Sequence, residues 1–294
     1  MDSLLVVGCG DVARRALPAL LARWRVTALV RRADEALAAQ GVEQVVGDLD
    51  RPESLATLGR GFARVLHLAP PPETGAGDPR TANLIDALES QGMLPERLVY
   101  ISTSGVYGDC RGERVDETRP VDPRSARGRR RVDAERLLLD WGAARGVNVS
   151  VLRVPGIYAA DRLPLERLRR GTPVLAREDD VYTNHIHADD LAAICVAALE
   201  RAAPGGIYNA SDDSELRMGD YFDLVADRFG LPRPPRVPRA EAERVIPPLL
   251  LSFMSESRRL LNARMKRELG VALRYPTVLE GVPHGHPAGH QQPA

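Results

Sequence analysis

Short apolar runs alternate along this chain with stretches in which apolar residues return every three or four positions. Residues 3–7 (Ser-Leu-Leu-Val-Val) form the first run and read as a buried strand. Val12, Ala13, Ala16, Leu17, Leu20 and Leu21 then recur at helical spacing, and Pro18 is expected to interrupt and kink that helix. The rhythm repeats with strands predicted at residues 25–31, 42–46, 64–68, 97–101 and 147–154. Between them fall a short helix at 33–40 closed by Gly41, another opened by Pro52, a helix at 81–89 and a long one at 126–144. Near-continuous apolar strands alternating with helices predict an α/β fold, a doubly wound parallel sheet covered on both faces. Right-handed crossovers then bring the carboxyl end of every strand to one side.

The rhythm loosens beyond Pro155. A polar loop is expected earlier, at 108–124, and beyond Pro155 a short helix at 164–170, an extended stretch at 181–187 and a helix at 188–201. A strand at 207–210 and a helix at 218–229 follow. The Pro- and Arg-rich stretch 230–248 reads as loop, and 255–269 as a helix ended by Gly270. Residues 1–154 are therefore expected to form the sheet domain. Residues 155–282 should form a smaller, partly interleaved α/β region, and 283–294 a disordered tail with three histidines. No internal repeat is visible.

Chemistry enters at the first turn. Gly8-Cys9-Gly10-Asp11-Val12-Ala13 is Gly-x-Gly-x-x-Ala between a strand and a helix, a dinucleotide-binding fingerprint that marks a Rossmann-type sheet. Gly8 permits the sharp turn, Gly10 keeps side-chain atoms away from a pyrophosphate, and Ala13 lets helix and strand pack closely. The free N–H groups at the helix start face the phosphates. At the end of the second strand, an acidic residue would accept from the 2′-hydroxyl of NAD. Arg31 and Arg32 stand there instead and suit a 2′-phosphate, which favours NADP over NAD. Asp48 follows the third strand, where a carboxylate can accept from an adenine amino group.

Composition narrows the picture further. With 40 basic and 40 acidic side chains the chain carries no net charge, which argues against nucleic acid or an anionic membrane as a partner. No apolar run is long enough to span a bilayer. Cys9, Cys110 and Cys195 lack metal-ligand spacing, so no metal site is expected, and a reducing cytoplasm fits them. All the basic residues but Lys266 are arginine, so any mechanism needing a lysine earlier in the chain is excluded.

Taken together, Gly8–Ala13, Gly47-Asp48-Leu49, the stretch Tyr100-Ile101-Ser102-Thr103-Ser104-Gly105-Val106-Tyr107-Gly108-Asp109, Arg153-Val154-Pro155-Gly156-Ile157-Tyr158 and Asn184-His185-Ile186-His187-Ala188-Asp189-Asp190-Leu191-Ala192 resemble the extended short-chain dehydrogenase/reductase superfamily, in its NAD(P)-dependent epimerase/dehydratase branch. The Gly-x-Gly-x-x-Ala loop is atypical for it. The resemblance implies that Gly8, Cys9, Gly10, Asp11, Val12 and Ala13 hold the pyrophosphate. It places Asp48 and Leu49 at the adenine, Ala69 and Pro70 along the cofactor, and Pro155, Gly156 and Ile157 beside the nicotinamide. Thr103 takes the family's catalytic Ser/Thr position. The family often dimerises through the helices at 81–89 and 126–144, so a homodimer is implied.

The family's Tyr-x-x-x-Lys pair is missing. Aligned on Pro123-Arg124-Ser125, its tyrosine falls on Arg127 and its lysine on Arg131, and no tyrosine lies between Tyr107 and Tyr158. Arg131 retains a positive charge for the ribose. Arg127 cannot act as a base, because guanidinium stays protonated. Tyr107 is the phenol the motifs offer in its place. Two functions follow: an atypical NAD(P)-dependent oxidoreductase acting on an unknown carbonyl, alcohol or sugar nucleotide, or a catalytically silent NADP(H)-binding redox sensor.

Overall fold

The computed structural model describes residues 2–285 other than 60, 91 and 93. Of the tail expected at 283–294, residues 286–294 lie outside the described residues. Seven strands form one parallel sheet: β1 (Ser3–Val7), β2 (Arg25–Val30), β3 (Glu43–Val46), β4 (Arg64–His67), β5 (Arg97–Thr103), β6 (Asn148–Val154) and β7 (Ile207–Asn209). Their order is β7-β6-β5-β4-β1-β2-β3. The chain builds outward from β1 through β2 to β3, then returns to the other side of β1 with β4. The strand order reverses at β1/β4, the point where a doubly wound sheet opens a crevice at its carboxyl edge.

The period-2 pattern of β1 sorts its side chains between two cores. Leu4 and Val6 face one layer with Ala13, Leu17 and Leu20 of α1 (Asp11–Leu21). Leu5 and Val7 face the other, with Leu84 and Leu88 from the helix at Pro79–Ser90 and Leu138 and Trp141 from that at Ala126–Arg145. Each such aliphatic side chain, fully buried, contributes about 1.5–3 kcal/mol. Helix α2 (Glu35–Ala38) is short and capped by Asp34. Helices α3 (Pro79–Ser90) and α4 (Ala126–Arg145) are joined by Glu89, which accepts from Trp141 Nε1 and Arg145 Nε at 2.9 and 2.7 Å. The Ser125 side chain caps α4 by accepting from Gly128 N.

After β6 come α5 (Leu165–Arg169), α6 (Ala188–Arg201) and α7 (Met218–Arg228). Helix α6 packs beside α1 in the first core, whereas α7 builds a separate cluster with Tyr158, Leu168 and Val174. Helices α8 (Arg239–Val245), α9 (Pro248–Ser252) and α10 (Ala263–Leu269) complete the described chain up to a last turn at Val278–Gly281.

Several expectations are corrected. Helix α1 runs unbroken through Pro18, because burial of Leu17 and Leu20 on either side outweighs the one hydrogen bond proline removes. The stretch 230–248 is not all loop: Arg236–Val237 pairs with Val174–Leu175, and α8 follows. The helix expected at 255–269 shrinks to α10, because Arg259–Leu260 is a strand paired with Arg114–Val115 inside the loop expected at 108–124. Long-range pairing overrides local helix propensity there.

Candidate functional site

Two cavities open at the carboxyl edge of the sheet. The first, of about 430 Å³, lies over the strand-order reversal, between the Gly8–Gly10 turn, the ends of β2 and β3, and the segment after β4. Gly8 has φ +91°, and a Cβ there would stand 2.6 Å from the Ala69 backbone nitrogen. Ala69 N and Leu68 N both donate to Val7 O, which brings that backbone hard against the turn. Glycine at 8 is thus demanded by the fold itself. Gly10 differs: its φ is −83°, it caps α1, and a Cβ built on it meets nothing within 4 Å. No side chain caps the first N–H groups of α1. Open space above Gly10 and unspent donors behind it form a cradle for an anion, so the residues present fit a dinucleotide's pyrophosphate.

Gly8, Cys9, Gly10, Arg31, Arg32, Asp48, Leu49, Ala69 and Pro70, all expected at the cofactor, line this cavity. Ala13 is fully buried between helix and strand, and Val12 packs against the same core rather than facing the cavity. Asp11 points elsewhere, pairing with Arg15 and Arg162 at 3.0 and 2.9 Å. The exposed side chains of Arg31 and Arg32 make no hydrogen bond or ion pair among the described residues. Sequence reasoning missed Arg14, Asp34 and Arg80, which also line it. Arg14 and Asp34 pair with each other at 2.5 Å, and Arg80 with Asp50 at 2.6 Å; among the described residues lining the cavity, Arg31 and Arg32 are the arginines outside such a pair, although Arg31 also acts on Asp50 through its charge. Arg14 lies one turn after Gly10, a signal that could have been read; Asp34 is hidden because the helix it caps starts at Glu35, two residues later than expected.

The second cavity, of about 320 Å³, lies beyond the ends of β5 and β6. Thr103, Arg127, Pro155 and Gly156 line it, so the structure brings the Thr expected to be catalytic and the arginine expected at the family's tyrosine position to one space. Thr103 Oγ1 accepts from Gly105 N at 3.2 Å, which leaves its hydroxyl proton free to donate. Ile157 is packed into the first core instead.

Two further expected residues are not where the motifs put them. Tyr107 is 2% exposed, and its hydroxyl donates to Asn209 Oδ1 at 2.8 Å under the Arg153 guanidinium. Burial pushes its phenol up, against the pull of Arg153. It lines neither cavity, because the short 3-10 helix after β5 turns it into a small cluster with Val106, Cys110 and Val115. Arg131 also lines neither: its Nη1 donates to the Tyr100 hydroxyl and the Ile101 carbonyl at 2.9 and 2.6 Å. Side chains that sequence reasoning missed fill the second cavity, among them Arg167, Tyr182, Tyr221, Phe253, Glu256 and Arg258. Most come from short irregular segments with no periodicity to read.

Among the described residues no group of three or more His, Cys, Asp or Glu side chains is placed to hold a metal ion. No helix of the described residues is long and apolar enough to cross a membrane.

Residues 8–202 match a family model described as NAD(P)H-binding. The chain is similar to GDP-6-deoxy-D-mannose reductase of Pseudomonas aeruginosa, 26% identical over 56% of this chain and 60% of that one, so the match spans less than two thirds of that reductase. It is similar nearly end to end to the 3-diazoavenalumate denitrifying reductase of a Streptomyces species, 29% identical over 95% of this chain and 98% of the relative. Among solved structures, a conserved protein of unknown function from Silicibacter pomeroyi is 33% identical, with a TM-score of 0.79 and 96% of each chain covered. The UDP-glucose 4-epimerase of Thermotoga maritima shares the fold at 18% identity, with a TM-score of 0.75 over 95% of this chain and 96% of that one.

Proposed function

This chain belongs to the NAD(P)H-binding family, in the epimerase/dehydratase-like group of extended short-chain dehydrogenases/reductases, and from that premise we propose that it is an NADP(H)-dependent reductase whose reaction runs without the family's phenolic acid. One observation carries the reading: Arg127, not a tyrosine, faces the second cavity from the first turn of α4, beside Thr103. A bound nicotinamide supplies a hydride donor. The chain's own contribution is to hold the dinucleotide along the Gly8–Gly10 turn and to position the acceptor with the Thr103 hydroxyl. It also provides a fixed positive charge at Arg127. Reduction of a carbonyl there takes its proton from water. An acceptor that loses a leaving group on reduction needs no proton donor at all. A denitrifying reductase among the relatives matched nearly end to end supports that second kind of acceptor. Tyr182 and Tyr221 line the same cavity, but burial pushes the Tyr221 phenol far above neutrality. The guanidiniums of Arg217 and Arg259 lie 5.5 and 4.7 Å from the centre of the Tyr182 ring.

Arg31 and Arg32 set the preference for NADPH over NADH. A charge-assisted pair with a 2′-phosphate is worth about 1.5–3 kcal/mol, roughly tenfold or more in affinity. Titration with each cofactor tests this, and Arg31→Asp should reverse much of the difference. Equal affinities contradict it.

Turnover is tested by NADPH absorbance across a panel of carbonyl and diazo acceptors, for the wild type, Tyr182→Phe, and Arg127→Tyr combined with Arg131→Lys. The wild type should reduce at least one acceptor, with no loss in Tyr182→Phe and no epimerisation of sugar nucleotides. NADPH binding without turnover of any acceptor replaces this reading with that of a silent redox sensor.

A further inference from the structure

The charges around the second cavity do not balance. Three guanidiniums, Arg127, Arg167 and Arg258, line it against one carboxylate, Glu256, and that carboxylate is already paired with Arg258 Nη1 at 2.9 Å. Arg127 makes no hydrogen bond or ion pair among the described residues; its guanidinium lies 4.4 Å above the Phe253 ring. Arg167 meets no carboxylate: Nη2 reaches the Pro173 carbonyl, the guanidinium lies 4.3 Å above Phe222, and Nε is buried with no partner. Arg258 Nε is likewise buried and unpartnered. Burial makes Arg127 less basic than an ordinary arginine; Glu256 opposes this, and Arg131, Arg130 and Arg258 add to it. His185, on the same wall, is pushed down to about 3 by burial and is neutral.

Arg167 is half-buried and its cost without an anion is real, whereas Arg127 is an exposed guanidinium at the cavity wall; together they leave two cations for a ligand that brings the anion. Their planar forks match a carboxylate in two parallel hydrogen bonds. Four aromatic side chains, Tyr182, Tyr221, Phe222 and Phe253, stand in its walls, beside polar ones such as Thr183 and Asn184. A volume of about 320 Å³ sits at the small end of ligand sites. It suits one ring with a short acidic arm, rather than a base, ribose, diphosphate and sugar together.

We propose that this cavity binds a small planar aromatic carboxylic acid, with Arg127 as the principal cation for its carboxylate, Arg167 as the second, and the aromatic side chains as walls for its ring. The proposal rests on the second cavity being the substrate pocket. In it, the residue that replaces the family's acid becomes the residue that selects the substrate.

Calorimetric titration of the full chain saturated with NADP⁺ tests the proposal, using benzoate, cinnamate and 4-hydroxycinnamate, the carboxamide of the last, and uridine diphosphate. At least one of the acids should bind, at least tenfold tighter than the carboxamide and tighter than uridine diphosphate. Arg127→Gln should lose at least tenfold in acid affinity, Arg127→Lys should recover part of it, and Arg167→Gln should lose severalfold. Thermal unfolding of each variant confirms that it is folded. Three results overturn the proposal: a carboxamide bound as tightly as its acid, uridine diphosphate bound more tightly than every acid, or no acid bound. Wild-type affinity in Arg127→Gln removes Arg127 from the assignment. NADPH turnover on the carbonyl and diazo panel is read separately, so acid binding with no turnover of any acceptor overturns the reductase reading and leaves the acid site standing.

Discussion

Gly8 and Gly10 stand two residues apart in one turn and answer to different constraints. At Gly8 a side chain meets both a left-handed backbone, φ +91°, and the Ala69 backbone at 2.6 Å. Gly8→Ala should therefore cost about 2–4 kcal/mol of stability, measured by urea unfolding. At Gly10 the backbone is ordinary and the space open. Gly10→Ala should leave stability within about 0.5 kcal/mol of the wild type. The motif named both glycines but could not separate the one the fold needs from the one a ligand needs; only the neighbourhood of each Cβ does. Arg31 and Arg32 were legible from their distance along the chain, since the end of β2 always faces that crevice. Tyr107 was not, because the direction of its side chain depends on a single turn of 3-10 helix after β5.

Elements are held in place around the second cavity by a buried chain of polar groups. Ser102 on β5 donates to Glu135 on α4, and Glu135 pairs with Arg153 on β6 at 2.8 Å, both side chains 5% exposed. The Arg153 guanidinium lies 4.7 Å above the Tyr107 ring, and Tyr107 reaches Asn209 on β7. Thr103 and Arg127, the residues that face the cavity, ride on the same β5 and α4. Removing one partner leaves a buried charge unmatched, so Glu135→Leu should cost about 3–5 kcal/mol, and Glu135→Leu with Arg153→Met distinctly less. Equal losses in the single and double variants, measured by chemical unfolding, contradict this. The strands and long helices of the sheet were readable because each buries a periodic face. Arg236–Val237, Arg259–Leu260 and α8 were not, because strands of two residues carry no period and exist only through partners 60 to 150 residues away.

For the whole molecule, buried titratable groups shape stability against pH. Asp212 is 3% exposed, its Oδ2 has no hydrogen-bond partner, and burial, the largest cause, pushes its carboxyl up to about 7; Asp213 and Asp190 push the same way while Ser214 opposes them. The folded chain thus holds a proton that the unfolded chain gives up near pH 4. Stability falls as pH rises from about 4 to about 7 and stays lower above that, by an amount on the order of a few kcal/mol. His67, pushed down to about 3 by burial with a smaller push from Arg131, acts in the opposite sense, costing stability as pH falls below about 6.5. Asp212→Asn keeps an oxygen for Ser214 N and removes the first effect, so between pH 5 and pH 8 it should gain on the wild type in urea unfolding. At the crevice where the strand order reverses we propose an intact NAD(P)H site in a chain without the family's Tyr-x-x-x-Lys pair. Fluorescence titration of NADPH against the wild type and Gly10→Val tests it most directly. Saturable binding by the wild type, lost in a Gly10→Val variant that unfolds at the same temperature, is the predicted result. Undiminished binding in that folded variant, or no binding by the wild type, contradicts it.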